Sequence, residues 1–269
     1  MNKSKIRIYY IFHSGFAVET ENHFLVFDYY MSAKELNNNG QSKFSLQDNI
    51  KNKNNVLVFS SHNHEDHFNT EILHWEKINP SIKYILDSDI PVDFKKSNYY
   101  KLSKYEETIF EFKDDSPHAH KNNSKIDNSS EVYVKAYGST DIGISFLIKV
   151  DGITLFHAGD LNWWHWKDDS LEERSFAEKN FKLEIEKIKD ENIDIAFFPV
   201  DPRLEEHYSL GGEYFIKELK PKFFIPMHFG DNCNITKKFA EKVKELPTKV
   251  VIINSSGEEL SLHTSNPYL

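Results

Sequence analysis

The stretch VLVFSSHNHEDHF, residues 56–68, decides how this chain is read. Four consecutive apolar residues, Val56 to Phe59, end in Ser60 and Ser61. They read as a buried strand running out into a loop. That loop carries His62, His64, Asp66 and His67. Side chains two apart in an extended segment point the same way, so His62 and His64 can grip one ion. Asp66 and His67 are adjacent and point apart, so they can reach a second ion or orient a water between the two. Imidazole and carboxylate donors suit Zn²⁺, and also Mn²⁺ or Fe²⁺. An exposed polar loop could carry the same residues, but α/β proteins place ligand loops directly after buried strands.

Two further strand exits show the same pattern. ITLF (153–156) is followed by His157, Ala158, Gly159 and Asp160, and a carboxylate at that position could bridge two ions. KFFI (222–225) is followed by Pro226, Met227 and His228. Each exit alone is weak, because an aspartate at a strand end is commonly a turn residue. Three polar exits of ligand type in one chain are better explained by convergence on one site. Asp28, after FLVF, is of the right type to receive the free N–H of a ligand histidine. His13 ends the first strand and could border the site. Asn162 and His165 lie just after Asp160 and could touch substrate. Trp163, Trp164 and Trp166 could form an aromatic wall or an interface. Arg203 reads as a surface salt bridge, or as a partner for a phosphate or carboxylate.

Working outward, IRIYYIF, GFAVET and HFLVFDYY read as strands, the last two separated by a polar turn at Glu21 and Asn22. Asn69 caps a helix ending before Pro80, and IKYIL (82–86) is a strand. EVYVKAY, GISFLIKV and ITLF follow as strands, the last two joined by the hairpin dipeptide Asp151-Gly152. Ser170 and Glu173 form a capping box for a helix bearing Phe181, Ile185 and Ile188. IDIAFFPVD, KFFIPMHFGD and VVIIN read as strands, and GEYFIKEL as a helix. Phe239, Val243 and Leu246 stripe a further helix up to Pro247. Residues 32–55 and 114–130 read as polar insertions, the first with a short helix at most.

The chain has 269 residues, 42 acidic against 33 basic, a formal net charge of −9, and one cysteine. A lone Cys233 excludes an intrachain disulfide framework and a cysteine-based zinc ribbon, and fits a reducing, cytoplasmic compartment. No apolar run is long enough to span a membrane. The opening segment lacks the features of a signal peptide. The acidic balance disfavours a nucleic-acid groove or an anionic membrane surface as partner and leaves a small-molecule substrate. Oligomeric state is not legible.

With these residues in place, the chain resembles the metallo-β-lactamase superfamily, and within it the branch of ascorbate-6-phosphate lactonase-like zinc-dependent hydrolases. HNHEDH at 62–67, HAGD at 157–160 and MHFG at 227–230 carry the likeness, together with the opening IFHSGFAVE…FLVFD. The resemblance implies a single domain over 1–269. It implies a four-layer αββα sandwich, two mixed sheets flanked by helices, with a dinuclear site at the sheets' edge. His62 and His64 would hold one ion, Asp66, His67 and His228 the other, with Asp160 bridging. Much of the superfamily adds a histidine ahead of the bridging aspartate; here the corresponding stretch is KAYGSTDIGISF, which has none. Asp141, the hydroxyls of Ser139 and Thr140, or His118 or His120 could stand in. Alternatively, one ion is held by Asp66, His67, Asp160 and His228. The oxygen-reducing di-iron branch typically has Glu where this chain has His64, which favours hydrolysis.

The expectation is a metal-dependent hydrolase, with one or two zinc ions. Asp66 would orient the attacking water and collect its proton, and the substrate would be a small anionic ester, lactone or phosphodiester. The rivals are a nuclease or phosphodiesterase of the same superfamily and a non-catalytic metal- or partner-binding module.

Overall fold

The computed structural model describes residues 3–31, 45–92, 96–112 and 131–265. Two seven-stranded sheets lie face to face. The first has the order β14-β1-β2-β3-β4-β5-β6, built from β1 (Lys3–Phe12), β2 (Gly15–Glu19), β3 (Phe24–Phe27), β4 (Val56–Ser60), β5 (Lys83–Asp87), β6 (Tyr99–Leu102) and β14 (Glu259–Ser265). The second has the order β13-β12-β11-β10-β9-β8-β7, built from β7 (Glu107–Glu111), β8 (Glu131–Gly138), β9 (Ile144–Val150), β10 (Ile153–His157), β11 (Ile195–Pro199), β12 (Phe223–Met227) and β13 (Lys249–Val250). Both are mixed: hairpins open each sheet, and parallel pairs β3/β4/β5/β6 and β10/β11/β12/β13 continue it.

Side-chain alternation along the strands separates the layers. In β11, Phe197 faces the other sheet, 4.8 Å from Phe16 between ring centroids, whereas Phe198 faces outward onto Phe215 at 4.5 Å. Phe59 meets Phe146 across the same inner layer at 5.2 Å. This shared core spans both sheets. Helices α1 (Leu46–Lys51), α2 (Leu171–Ile188), α3 (Leu210–Leu219) and α4 (Asn234–Lys242) complete the outer layers. Helix α2 begins at the capping box of Ser170 and Glu173 and buries Phe181, Ile185 and Ile188. The arrangement is the expected αββα sandwich.

Several local expectations change. The second half of the first insertion is not simply exposed. Helix α1 buries Leu46 and Ile50, in one cluster with Val58, Tyr84 and Trp75 on the outer face of the first sheet. The 114–130 insertion, with His118 and His120, lies outside the described residues. The Asn69-capped helix is a 3₁₀ segment, Thr70–Lys77. Helix α4 stops at Lys242 rather than at Pro247, and of VVIIN only Val250 pairs in a strand. The hairpin at Asp151-Gly152 is present, with positive φ at both residues, as a two-residue turn of this kind requires.

The opposite edge of the sandwich from the histidine loop is closed by hydrogen bonds. Asp151, in the β9–β10 turn, accepts from the Thr20 hydroxyl at 2.5 Å and from the Asn22 N–H at 2.9 Å. It also lies 3.0 Å from His23 Nδ1, so the β2–β3 turn is tied to the other sheet.

Candidate metal centre

Strand direction positions the site. β1, β3 and β4 run the same way in the first sheet, and β8, β10, β11 and β12 in the second. Their C-terminal ends share one edge. His13, Asp28, the 62–67 loop, Asp141, Asp160, Asp201 and His228 all follow those ends.

Asp160 sits at the centre. Its Oδ1 lies 3.1 Å from His67 Nε2 and 3.2 Å from His228 Nε2, and its Oδ2 lies 3.5 Å from His62 Nε2. His64 Nδ1 is 3.0 Å from His62 Nε2. The 62–67 loop is a turn rather than an extended segment, closed by the His67 and Phe68 N–H groups donating to the His64 carbonyl. His62 and His64 still converge, because the turn begins only at His64. Asp66 Oδ2 lies 3.4 Å from His13 Nε2. The sets His13/Asp66/His67/His228, His62/His67/Asp160, His62/His64/Asp66 and His64/Asp141/Asp160 each offer ligand atoms within 4.8 Å of one another.

Two buried carboxylates grip histidines from behind. Asp28, fully buried, lies 2.7 Å from His67 Nδ1 and accepts from the Ser61 N–H at 2.8 Å and the Ser61 hydroxyl at 2.7 Å. Asp201 lies 3.0 Å from His228 Nδ1 and takes Nε and Nη2 of Arg203. In each case the far nitrogen, Nε2, is left facing Asp160. The Ser61 hydroxyl is 2.9 Å from His62 Nδ1 and completes the pattern. Asp201 and Ser61 escaped the sequence reading. Asp201 carried the same signal as Asp28, a polar residue immediately after an apolar strand (FFPV), whereas Ser61 meets Asp28 only through the fold.

Backbone strain concentrates here. His13, Asp28 and His228 have φ of 57°, 41° and 64°, a left-handed conformation uncommon outside glycine. Gly143 lets the 138–143 turn approach the loop: a Cβ there would lie 2.3 Å from the Ser61 carbonyl oxygen and 2.5 Å from His62 Cβ.

The electrostatics follow from burial against charge. Burial pushes His62 down to about 4, reinforced by His67. Burial opposes protonation of His67 too, but the carboxylates of Asp160 and Asp28 raise it to about 10. His228 is likewise raised against its burial by Asp160 and Asp201. Burial would raise Asp160, yet His67 and His228 hold it well below the usual carboxylate range. Asp201 behaves alike, brought to about 2 by His228 and Arg203. The His13 imidazole holds Asp66 low.

A metal ion fits these residues. Nε2 of His13, His67 and His228 and Oδ1 of Asp160 are buried without a hydrogen-bond partner. Buried polar atoms almost always find one, and a single cation can serve several nitrogen and oxygen donors together.

A cleft of about 390 Å³ opens over the cluster, lined among others by Asp66, Asp141, Trp164, Trp166 and Arg203. Arg203 is therefore more than a surface salt bridge: half-exposed, it borders the cleft while pinning Asp201. Of the expected substrate contacts, Asn162 is buried with its Oδ1 against Gly211 in α3, and is not in the cleft. His165 packs on His207, ring centroids 4.2 Å apart, while Trp164 and Trp166 supply the wall. His13 lies within the histidine cluster itself. The Thr140 hydroxyl donates to the Asn162 carbonyl, and that of Ser139 accepts from the Asp141 N–H, so both are already engaged.

Two facing mixed sheets, outer helices and a histidine–aspartate cluster at one edge define a protein of the metallo-β-lactamase fold. Residues 7–169 match the profile of the family described as "Beta-lactamase superfamily domain", and the chain belongs to that superfamily. A UPF0173 metal-dependent hydrolase of Pyrococcus furiosus is 30% identical over 156 residues, which are 52% of this chain and 58% of that protein. Among solved structures, Igni18 of Ignicoccus hospitalis, a metallo hydrolase, superposes over 97% of this chain and 100% of its own with a TM-score of 0.60 at 18% identity. CmlA, a di-iron β-hydroxylase of Streptomyces venezuelae, superposes over 98% of this chain and 55% of its own, with a TM-score of 0.58 at 10% identity. Among the described residues no helix is long and apolar enough to cross a membrane.

Proposed function

We propose that this chain is a metal-dependent hydrolase of small anionic esters, lactones or phosphodiesters. The observation that carries the reading is the convergence of unpartnered Nε2 atoms from His67 and His228 on Asp160, each imidazole held from behind by a buried carboxylate. The name of the Pyrococcus relative, a metal-dependent hydrolase, supports it. His62, His64 and Asp160 would hold one ion, with Asp141 at the cleft wall standing where a histidine is missing. Asp66, His67 and His228 would hold the other, with Asp160 between them. The nitrogen-rich donor set favours zinc. The half-buried lone Cys233 fits a cytoplasmic setting.

A divalent cation there supplies Lewis acidity, making water ionisable near neutral pH and polarising a carbonyl or phosphoryl oxygen. Asp66, half-exposed on the cleft and ionised throughout the neutral range, accepts a hydrogen bond from the attacking water and sets its direction. Asp28 and Asp201 keep Nδ1–H on His67 and His228, which leaves Nε2 as the donor atom. Trp164 and Trp166, stacked 5.7 Å apart, wall the cleft, and the Arg203 guanidinium at its border attracts an anionic substituent.

The test is elemental analysis of purified protein, followed by an ester, lactone and phosphodiester panel with Zn²⁺, Mn²⁺ or Fe²⁺ restored. Hydrolysis lost with chelator, and reduced about 100-fold or more by Asp66→Ala, is the expected result. Protein that takes up no ion, or whose turnover is indifferent to chelator, would refute the reading.

A further inference from the structure

We propose that His13 is itself a metal ligand, completing with Asp66, His67 and His228 a three-histidine site for one of the two ions. The inference rests on the functional reading above and adds to it a residue from the β1–β2 turn.

Geometry points there first. One ligand atom from each of His13, Asp66, His67 and His228 lies within 4.8 Å of all the others. Four donors each about 2.1 Å from one tetrahedral ion stand about 3.4 Å apart. The set therefore needs its most distant donors to close by no more than about 1.4 Å, a side-chain adjustment, to take an ion. His13 Nε2 is buried and has no hydrogen-bond partner, although Asp66 Oδ2 lies 3.4 Å away. His228 Nε2, also without a partner, belongs to a ring whose centroid is 4.0 Å from that of His13. Two imidazoles brought this close, each with a buried unpartnered nitrogen, are placed to share one cation.

The backbone holds His13 for this purpose. Its φ of 57° is uncommon for a residue with a side chain, and two hydrogen bonds fix it to the loop that bears His228. The His228 N–H donates to the His13 carbonyl at 3.0 Å. The His13 N–H donates to the Tyr10 hydroxyl at 3.0 Å, which in turn donates to the Gly230 carbonyl at 2.8 Å. A turn that merely joined β1 to β2 would need neither the strain nor the tether.

The consequence is asymmetry. Three imidazoles and Asp66 surround one ion, while the other has His62, exposed His64 and exposed Asp141, with Asp160 shared between the two. The His13 ion is therefore the tighter of the two, and the chain loads it first.

The test is metal binding by the full chain, titrated with Zn²⁺ against a chromophoric chelator and with Co²⁺ by visible absorption. The variants are His13→Asn and His13→Ala. Asparagine tolerates the left-handed backbone and keeps an N–H donor near Asp66, but it does not replace an imidazole ligand. Both variants are expected to weaken the tight ion by at least about 100-fold, beyond the 10–100-fold typical of a lost outer hydrogen-bond partner. The Co²⁺ bands of that ion should shift as well. An Asn variant within tenfold of wild type, with unchanged Co²⁺ bands, would overturn the proposal and reduce His13 to an orienter of Asp66. X-ray absorption on wild-type protein carrying one Zn²⁺ gives an answer even if the variants fold poorly. Three imidazoles support the proposal, and two overturn it while leaving the hydrolase reading intact. Wild-type protein that binds no ion overturns both.

Discussion

Asp28→Asn isolates what a buried carboxylate does for this site. The substitution keeps size and shape, and asparagine accepts the left-handed φ of 41°. What it cannot keep is three donors aimed at one carboxylate: the Ser61 N–H on Oδ1, and the Ser61 hydroxyl and His67 Nδ1–H on Oδ2. If the new amide oxygen faces Ser61 Oγ and His67, its NH₂ confronts the Ser61 N–H, and a buried donor is left unmet at about 1–3 kcal/mol. If it turns the other way, NH₂ faces His67 Nδ1. That histidine must then carry its proton on Nε2, the nitrogen that faces Asp160. Loss of the charge also weakens the surviving bonds, since charge-assisted bonds are roughly twice as strong as neutral ones. Together these put the destabilisation of metal-free protein at roughly 2–4 kcal/mol. Metal affinity should fall about 10–100-fold, the usual cost of losing such an outer partner. Urea unfolding of chelated protein reads the first quantity, and chelator competition reads the second. An Asn variant that binds metal within threefold of wild type would refute the claim that Asp28 sets the orientation and tautomer of His67.

Two further outcomes follow from the same geometry. Gly143→Ala drives a Cβ into the Ser61 carbonyl and His62 Cβ at positive φ, whereas Gly230→Ala, also at positive φ, meets nothing within 4 Å. The first should lose at least about 2 kcal/mol and the His62 ion, and the second only the backbone strain of about 1–2 kcal/mol; equal losses in urea unfolding would contradict this. Asp151 has its carboxyl held below the ordinary value, against its burial, by His23, Thr20 and Asn22. Its stabilisation is therefore present above about pH 4 and lost as pH falls through the depressed value. Asp151→Asn preserves an Asn-Gly hairpin turn and should cost about 1–3 kcal/mol at pH 7. The gap to wild type should narrow steadily below pH 4, and a gap constant from pH 7 to 2 would exclude this account.

Local pattern explains what the sequence disclosed. VLVF before HNHEDH, ITLF before HAGD and KFFI before PMH are strand exits whose polar residues share an edge whenever the strands are parallel, and here they are. The same signal stood at FFPV before Asp201. Strands β6 and β7 are short and half-exposed edge pieces, and β14 offers only Leu260 and Leu262 as an apolar face, so none announces itself by composition. Strand β14 forms by pairing with β1, residues 250 or more positions earlier, a contact no local window can hold. Asn162 illustrates the converse limit. Adjacency to Asp160 suggested the cleft, but the turn after β10 sends Asp160 into the site and Asn162 against Gly211.

The two edges of the sandwich solve one problem in different ways. Each must join a turn of the first sheet to a turn of the second. At the β9–β10 edge, Asp151 does this with hydrogen bonds alone, and the carboxylate's partners are in place. At the other edge the join runs through histidines. Asp28 from the first sheet and Asp201 from the second hold His67 and His228 in position, yet the atoms that meet between them remain buried without partners. A bound cation would serve several of these donors at once and offset a desolvation cost of roughly 1–3 kcal/mol each. On the metal-centre reading, the ion is a cross-link between sheets as well as a source of chemistry. Binding energy then appears directly as folding energy, and the edge joined through histidines is the one that faces the cleft.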